Sequence, residues 1–355
     1  MNKKRFPMML LAMLSLLAGI LTGLWRAGWK TPFPHDPMFN WHGALMVCGF
    51  LGTLIGMERA VAYGRFWGYL APVFAGVGGV MILIDRLAWL APVLETVAAA
   101  VLLVLLLVLS RRVRAIPAHL MTLGGISWLI GNGLWLAGWT LPQVAPFWIG
   151  FLMLTIAGER WELSRILQPD RRAVILFWIS MAVFFIGLGM SLTAHGRGMQ
   201  LLGIGMAALG VWLIRFDLAR KNLHQSGLYR FMGVSLISGY AWLVVAGLLA
   251  YFWGMMTAGF RYDAVMHSFF LGFVFTMIFA HAPIVFPAIL NVKLAYSNVF
   301  YTHLILLHLS LIYRIVADWQ LMPGGRIIGG WLNGVAILLF FINTLTSVQK
   351  KEVQS

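Results

Sequence analysis

The sequence is poor in charged residues and poorest in acidic ones. Only 10% of its 355 residues are charged, with 11 acidic side chains against 26 Lys and Arg. Hydrophobic residues make up 61%, and the mean hydropathy is +0.86, whereas soluble domains are roughly half apolar. A chain with so little polar surface cannot cover a soluble domain, so the composition excludes a water-soluble protein and indicates an integral membrane protein.

Cysteine is almost absent, and several motifs of soluble enzymes are missing. Cys48 is the single cysteine, which excludes a disulfide within the chain, an all-cysteine iron–sulfur site and a C-x-x-C-H haem attachment. The sequence also lacks a Walker loop, a Gly-x-Ser-x-Gly elbow and a dinucleotide-binding glycine motif in a strand–helix context. Any cofactor must therefore use other ligands.

Long apolar runs fill the chain instead. Each is about 20 residues long, enough to cross a hydrocarbon core of roughly 30 Å as a helix. The twelve predicted spans are 7–27, 41–62, 67–84, 87–109, 118–139, 146–166, 173–193, 199–214, 231–253, 264–290, 297–317 and 327–346. We predict an all-α polytopic membrane protein, a single integral domain over 1–355. The first run follows a basic start, as a signal peptide does, but it is longer than a signal peptide and has no clean cleavage site. We therefore interpret it as a retained helix.

The basic excess predicts orientation in the membrane. A formal net charge of +15 would indicate nucleic-acid binding in a soluble protein, but here most Lys and Arg fall on one side of the predicted threading. The clusters at 111–114, 165–172 and 215–221 follow this pattern and can touch anionic headgroups. By the positive-inside rule, we predict that both termini are cytoplasmic, with the lipid bilayer as a partner and no nucleic acid.

One short sequence motif recurs three times, and successive copies lie four predicted helices apart. GFLGTLIGME (49–58), GFLMLTIAGE (150–159) and GFVFTMIFAH (272–281) each read Gly-Phe, seven residues, then an ionisable group. They fall on predicted helices 2, 6 and 10, with the same orientation each time. This spacing predicts three parallel four-helix units about a pseudo-threefold axis, approximately 7–110, 118–214 and 231–346, unlike the inverted repeats of many secondary transporters.

Five of the nine histidines lie inside predicted helices: His42, His267, His281, His303 and His308. Because a charge at mid-membrane costs about 2.5–3.5 kcal/mol on insertion scales, each is a functional candidate. His42 and His267 lie where helices 2 and 10 enter from the same side, which predicts matching depth. Two interpretations remain open: the two imidazoles hold one haem iron from both sides, or they merely bond to backbone carbonyls or tyrosines.

The other three histidines belong to a second, deeper level. His281 follows His267 by 14 residues, which places it about 21 Å further along the helix axis. Pro283 then releases a backbone carbonyl, a break that commonly lines a cavity. His303 falls near this level, whereas His308 lies about 140° further round helix 11.

Charged residues gather at the inner ends of helices 2 and 6: Glu58, Arg59, Glu159, Arg160 and Glu162. Glu159 and Glu162 share a helix face because they are three residues apart. Two interpretations stay open here as well. The residues are either ion pairs that anchor the helix ends or part of a proton path or inner cavity.

Parts of the chain resemble known membrane haem proteins. NWHGALMVCGFLGTLIG (40–56) and MHSFFLGFVFTMIFAHAP (266–283), with THLILLHLSLIYR (302–314) as a companion, resemble the NnrS family of haem- and copper-associated membrane proteins. The twelve-helix, pseudo-threefold pattern is similar to subunit I of the haem–copper oxidases and nitric oxide reductases. In that superfamily one His from helix 2 and one from helix 10 hold the low-spin haem. The matching positions here are His42 and His267.

The resemblance has clear departures. The oxidases need a His on helix 6 and a His-His pair on helix 7 for copper, but here helix 6 offers Glu159 and helix 7 has no His. The binuclear oxygen-reducing centre is therefore missing, and HGAL stands where the NnrS family has HAHE. For copper, the remaining clustered imidazoles are His281, His303 and His308.

The resemblance implies a haem-b protein of the bacterial inner membrane. It would sense, bind or turn over nitric oxide or another diatomic ligand, or pass electrons from a donor, and whether it is an enzyme stays open. A second hypothesis is a transporter or metal-handling carrier with an inner cavity lined by Glu159, Glu162, His281 and His303. A third is a structural or assembly subunit without a cofactor.

Overall fold

The computed structural model describes residues 5–29, 38–290 and 292–349. His35, in a predicted loop, and the two termini, predicted to be cytoplasmic, lie outside these residues. The described chain forms long helices α1–α12 at Phe6–Ala27, His42–Tyr63, Phe66–Leu83, Leu90–Arg112, Ile116–Leu136, Leu141–Leu167, Arg171–Met190, His195–Phe216, Gly227–Trp253, Gly259–Ala288, Phe300–Trp319 and Pro323–Thr346. Strands β1 (Lys293–Leu294) and β2 (Val348–Gln349) pair antiparallel.

Eleven of these helices are long and apolar enough, by length and composition, to cross a membrane. The helix outside this set is α5, which has 21 residues but carries the polar side chains of His119 and Asn132. A polytopic helical membrane protein is therefore confirmed. Twelve crossings and the pseudo-threefold arrangement of a haem–copper oxidase stay predictions.

Local sequence explains where many of the helices begin and end. Pro117 and Pro323 lie in the first turns of α5 and α12, where a missing backbone N–H costs no hydrogen bond. Gly28 and Gly64 end α1 and α2 with φ of 112° and 76°, a left-handed conformation that glycine adopts without a Cβ clash. Asp170 caps α7 through its side chain.

Two of the long helices contain a π-helical segment. Leu45–Gly52 of α2 and Ser268–Phe275 of α10 each form an eight-residue π-helix. π-Helices are rare, occur mostly as single-turn bulges, and frequently mark functional sites. Each of these two segments begins within three residues of a predicted haem ligand, His42 or His267.

The chain divides into two compact units, Asn2–Glu162 and Leu163–Ser355, called the N-unit and the C-unit. The N-unit contains α1 to α5 and most of α6, and the C-unit contains α7 to α12. The boundary falls inside the second predicted repeat, 118–214, so the two units do not coincide with the three repeats. The three-repeat organisation stays a prediction.

Glycine lets neighbouring helices approach closely within each unit. In the N-unit, a Cβ on Gly79 of α3 would lie 2.9 Å from the Cα of Gly49 in α2. In the C-unit, a Cβ on Gly205 of α8 would lie 2.7 Å from the Cα of Phe184 in α7. In lipid, where burial of apolar surface gives helices no reason to associate, such close contacts hold them together.

Candidate functional site

His42 begins α2 in the N-unit and is held by the backbone of α1. Its Nδ1 lies 2.7 Å from the carbonyl oxygen of Gly19. Because a carbonyl only accepts, Nδ1 carries the hydrogen and donates it, and Nε2 carries the lone pair that can bind a metal. A Cβ on Gly23 would lie 2.7 Å from His42 Cε1, so the ring packs where only glycine leaves room for it.

His267 ends the first α-helical stretch of α10 in the C-unit, Gly259–His267. Its Nδ1 lies 2.9 Å from the carbonyl oxygen of Asp263 and 3.3 Å from the carboxylate Oδ1 of the same residue. The Asp263 carboxylate accepts two hydrogen bonds from Arg314 of α11, from Nε at 2.8 Å and from Nη2 at 2.9 Å. A carboxylate behind the imidazole is the support that metal-ligating histidines commonly have.

The Asp263–Arg314 pair belongs to a buried charged cluster in the C-unit. Asp318, one helical turn beyond Arg314 on α11, is 1% exposed and interacts electrostatically with Asp263, Arg314 and Arg326. The Arg326 guanidinium also lies 4.5 Å from the ring centroid of Phe260. Because buried charges are tolerated in a membrane only with partners, this cluster ties α10 to α11 beside His267.

His308 uses both ring nitrogens in hydrogen bonds. Trp242 Nε1 donates to its Nδ1 at 2.9 Å, and its Nε2 donates to Ser238 Oγ at 2.9 Å. The indole and imidazole planes are 23° apart, with ring centroids separated by 6.4 Å. A metal could bind His308 only if one of these hydrogen bonds broke.

His281 and His303 have different surroundings from each other. His281 Nδ1 donates to the backbone carbonyl of Met277 at 2.6 Å. His42 and His267 also donate from Nδ1 to a backbone carbonyl. His303 is buried, lies 3.2 Å from the Asn343 amide nitrogen through Nδ1, and is surrounded by the rings of Phe231, Phe279, Phe300 and Phe340. Within the described chain no group of three or more His, Cys, Asp and Glu could hold a metal ion. The three predicted copper ligands therefore do not form such a group, and copper stays a prediction.

Charged residues near the C-terminal ends of α2 and α6 form ion pairs within the N-unit. Arg59 donates to Glu58 at 2.9 Å and also to Glu159. Arg160 is buried and Glu162 is exposed. These contacts favour the interpretation as anchoring ion pairs. The predicted inner cavity, which also needs histidines of the C-unit, stays a prediction.

Sequence reasoning missed a buried polar cluster in the N-unit. Glu95 of α4 is 0% exposed, and neither carboxylate oxygen has a hydrogen-bond partner among the described residues. Asn132 donates to the backbone carbonyl of Glu95 at 3.0 Å and accepts from Trp148 Nε1 at 2.9 Å and Cys48 Sγ at 3.4 Å. An acidic residue eight positions beyond the start of the predicted apolar run 87–109 was the available signal.

His42 lies in one unit and His267 in the other, so their pairing on one iron stays a prediction. The two histidines share their local surroundings. In each, Nδ1 donates to a main-chain carbonyl, and a π-helix begins within the next three residues.

Comparisons with known proteins give a family without an activity. A family model described as a domain of unknown function (DUF8744) matches residues 5–349. Comparison with curated proteins and with solved structures gives no match. Because the matched region covers nearly the whole sequence, the chain belongs to the DUF8744 family.

Proposed function

We propose that this protein binds haem b in the bacterial inner membrane, with His42 and His267 as the axial ligands. The observation that carries the proposal is the shared local geometry of the two residues. In each, Nδ1 donates to a main-chain carbonyl, at 2.7 Å for His42 and 2.9 Å for His267. In each, the helix becomes a π-helix within three residues, a feature associated with functional sites.

The anchored rings fit what a haem iron requires. An axial imidazole must be neutral, must present a nitrogen lone pair, and must be fixed in rotation by a bond from its other nitrogen. The carbonyls of Gly19 and Asp263 supply that bond. The carboxylate of Asp263 adds negative charge behind His267, which raises the basicity of the ligating nitrogen. When bound, haem would supply one-electron redox chemistry and affinity for diatomic ligands.

The number of axial histidines affects whether the haem would transfer electrons or bind a gas. Two axial imidazoles favour electron transfer, and loss of one would open the iron to nitric oxide or a related diatomic. The resemblance to the NnrS family supports a role in nitric oxide or nitrosative-stress response. The distribution of Lys and Arg supports cytoplasmic termini.

The optical spectrum of the purified protein, oxidised and then reduced with dithionite, tests the proposal. We expect a Soret band and one iron per chain from haem-replete cells. His42→Ala and His267→Ala should each change the position of the Soret band or abolish it, because each removes one axial nitrogen. Copper content measured on the same samples tests the copper prediction independently.

His119→Ala is the matched control, because His119 is exposed near the start of α5. Its spectrum should equal that of the wild type. Protein without iron or a Soret band, or two axial variants with unchanged spectra, would overturn the proposal. Ligand binding lost in His281→Ala but kept in His267→Ala would support the carrier hypothesis in its place.

A further inference from the structure

The C-unit carries an apolar groove on its surface between α7, α8 and α9. The groove has a volume of about 730 Å³. Its walls are mainly aliphatic and include Leu176, Ile204, Ala208, Val211, Val244 and Leu248. Several of these side chains are about half exposed, so the groove is open along its length to whatever surrounds the protein.

Two polar side chains in the walls are already engaged with the main chain. Ser180 Oγ donates to the carbonyl of Leu176 at 2.8 Å, and Trp212 Nε1 donates to the carbonyl of Ala173 at 2.7 Å. Neither donor is directed at an occupant. The middle of the groove therefore suits an apolar chain rather than a polar molecule.

Arg215 lies at one end of the groove. Its guanidinium is exposed, lies 5.5 Å from the ring centroid of Phe216, and has no acidic partner among the described residues. Arg220 donates to the Arg215 carbonyl at 3.1 Å, which brings a second cation to this end. Arg171 and Arg172 begin α7 at the same end. Asp170 and the buried Asp217 lie at this end too. The four Arg residues exceed these two acidic residues by two, and this net positive charge favours an anionic group.

The length of the groove matches one leaflet of a bilayer. The stretch of α8 from Ile204 to Arg215 rises about 16 Å. Half of a hydrocarbon core of roughly 30 Å is about 15 Å. An acyl chain that begins at the basic end would therefore fill the groove as far as the middle of the membrane.

We propose that this groove binds one anionic glycerophospholipid, with its phosphate at Arg215 and an acyl chain along the apolar walls. The lipid comes from the leaflet at the basic end of α8. A zwitterionic lipid would leave the positive charge of Arg215 and Arg220 uncompensated, and an isoprenoid quinone would bring no negative charge to this end. The site is separate from the proposed haem ligands and does not depend on them.

Native mass spectrometry of the full-length protein, in an equimolar mixture of phosphatidylglycerol and phosphatidylethanolamine, tests this. We expect the wild type to retain phosphatidylglycerol preferentially. Arg215→Ala should lower that preference about fivefold, the effect of one basic residue at an anionic surface. Ala208→Phe, which places a ring inside the groove, should reduce binding of both lipids.

Arg197→Ala is the matched control, since Arg197 is an exposed residue at the opposite end of α8. It should bind lipid like the wild type. If Ala208→Phe fails to fold, Val211→Trp blocks the same groove from an exposed wall position. Equal lipid preference in Arg215→Ala and Arg197→Ala would overturn the proposal. So would unchanged binding in the blocked variant, or displacement of the lipid by an isoprenoid quinone.

Discussion

His42 and His267 are held in different ways, although each lies just before a π-helix. His42 is held by backbone, through the carbonyl of Gly19 and the space left by Gly23. His267 is held by charged groups, because it lies beside the Asp263 carboxylate, which accepts two hydrogen bonds from Arg314. The orientation of an imidazole can therefore be fixed by packing or by electrostatics. The two histidines should therefore respond to different substitutions.

The largest effect is expected at Arg314. Arg314→Ala would leave the half-buried carboxylate of Asp263 and the buried carboxyl group of Asp318 without their main counter-charge. Removing one partner of a buried ion pair costs about 3–5 kcal/mol. We expect a loss of this size in the free energy of unfolding, measured by denaturant titration in detergent. Arg197→Ala removes an exposed Arg and should stay within about 0.5 kcal/mol of the wild type. Equal stability of the two variants would contradict the charge-based support.

A smaller effect is expected for Asp263→Asn, because Asp318 still supplies Arg314 with an acidic neighbour when the carboxylate behind His267 is removed. Asp263→Asn keeps the side-chain volume but removes the carboxylate, and loss of such a supporting group typically weakens metal affinity about 10–100-fold. We expect the variant to release haem faster to an acceptor protein. Glu162→Gln, at an exposed carboxylate, is the control and should release haem at the wild-type rate. An unchanged release rate in Asp263→Asn would show that the carboxylate does not support a ligand.

The position of the His42 ring should instead depend on the size of the side chain at residue 23. Gly23→Ala would place a Cβ 2.7 Å from His42 Cε1, so the ring must move, and overpacking of this kind costs about 1–3 kcal/mol. We expect lower thermal stability and an altered haem spectrum. Gly133→Ala in α5 meets no atom within 4 Å and should be neutral or slightly stabilising. Identical stability and spectra of the two alanine variants would show that the space left by Gly23 does not hold the His42 ring.

The smallest effect is expected at Glu95, which contrasts with Asp263. Glu95 is buried without a hydrogen-bond partner among the described residues, whereas Asp263 has Arg314. Burying a polar group without a hydrogen bond costs free energy, so an apolar side chain of similar size should be neutral or stabilising at this position. We expect Glu95→Leu to keep the free energy of unfolding or to raise it by about 1 kcal/mol, measured by thermal unfolding in detergent. A clear loss of stability would mean that Glu95 has a favourable partner.

The helices were predictable from the sequence because the apolar runs have membrane length and few charges. α8 was predicted as 199–214 and extends over His195–Phe216, since polar residues at helix ends give no apolar signal. The π-helices were not predictable. A π-turn differs from an α-turn by one residue in the hydrogen-bond ladder, and GFLG and GFVF carry no pattern that separates the two.

The site was predictable in part. Membrane histidines are unusual enough to be noticed one by one, and Asp263 lies four residues before His267, a spacing that places both on one helix face. Arg314 is 51 residues further along the chain from Asp263, and no local pattern links them. The carbonyl of Gly19 could not be inferred for His42, because any residue of α1 offers a backbone carbonyl.

The central proposal is that His42 and His267 are the axial ligands of a haem iron. Electron paramagnetic resonance of the oxidised protein tests it most directly, with the wild type beside His42→Ala and His267→Ala. The account predicts a low-spin ferric signal from one haem per chain, which each substitution converts to a high-spin signal. A low-spin signal that survives in either variant, or a wild type without any ferric haem signal, would contradict it.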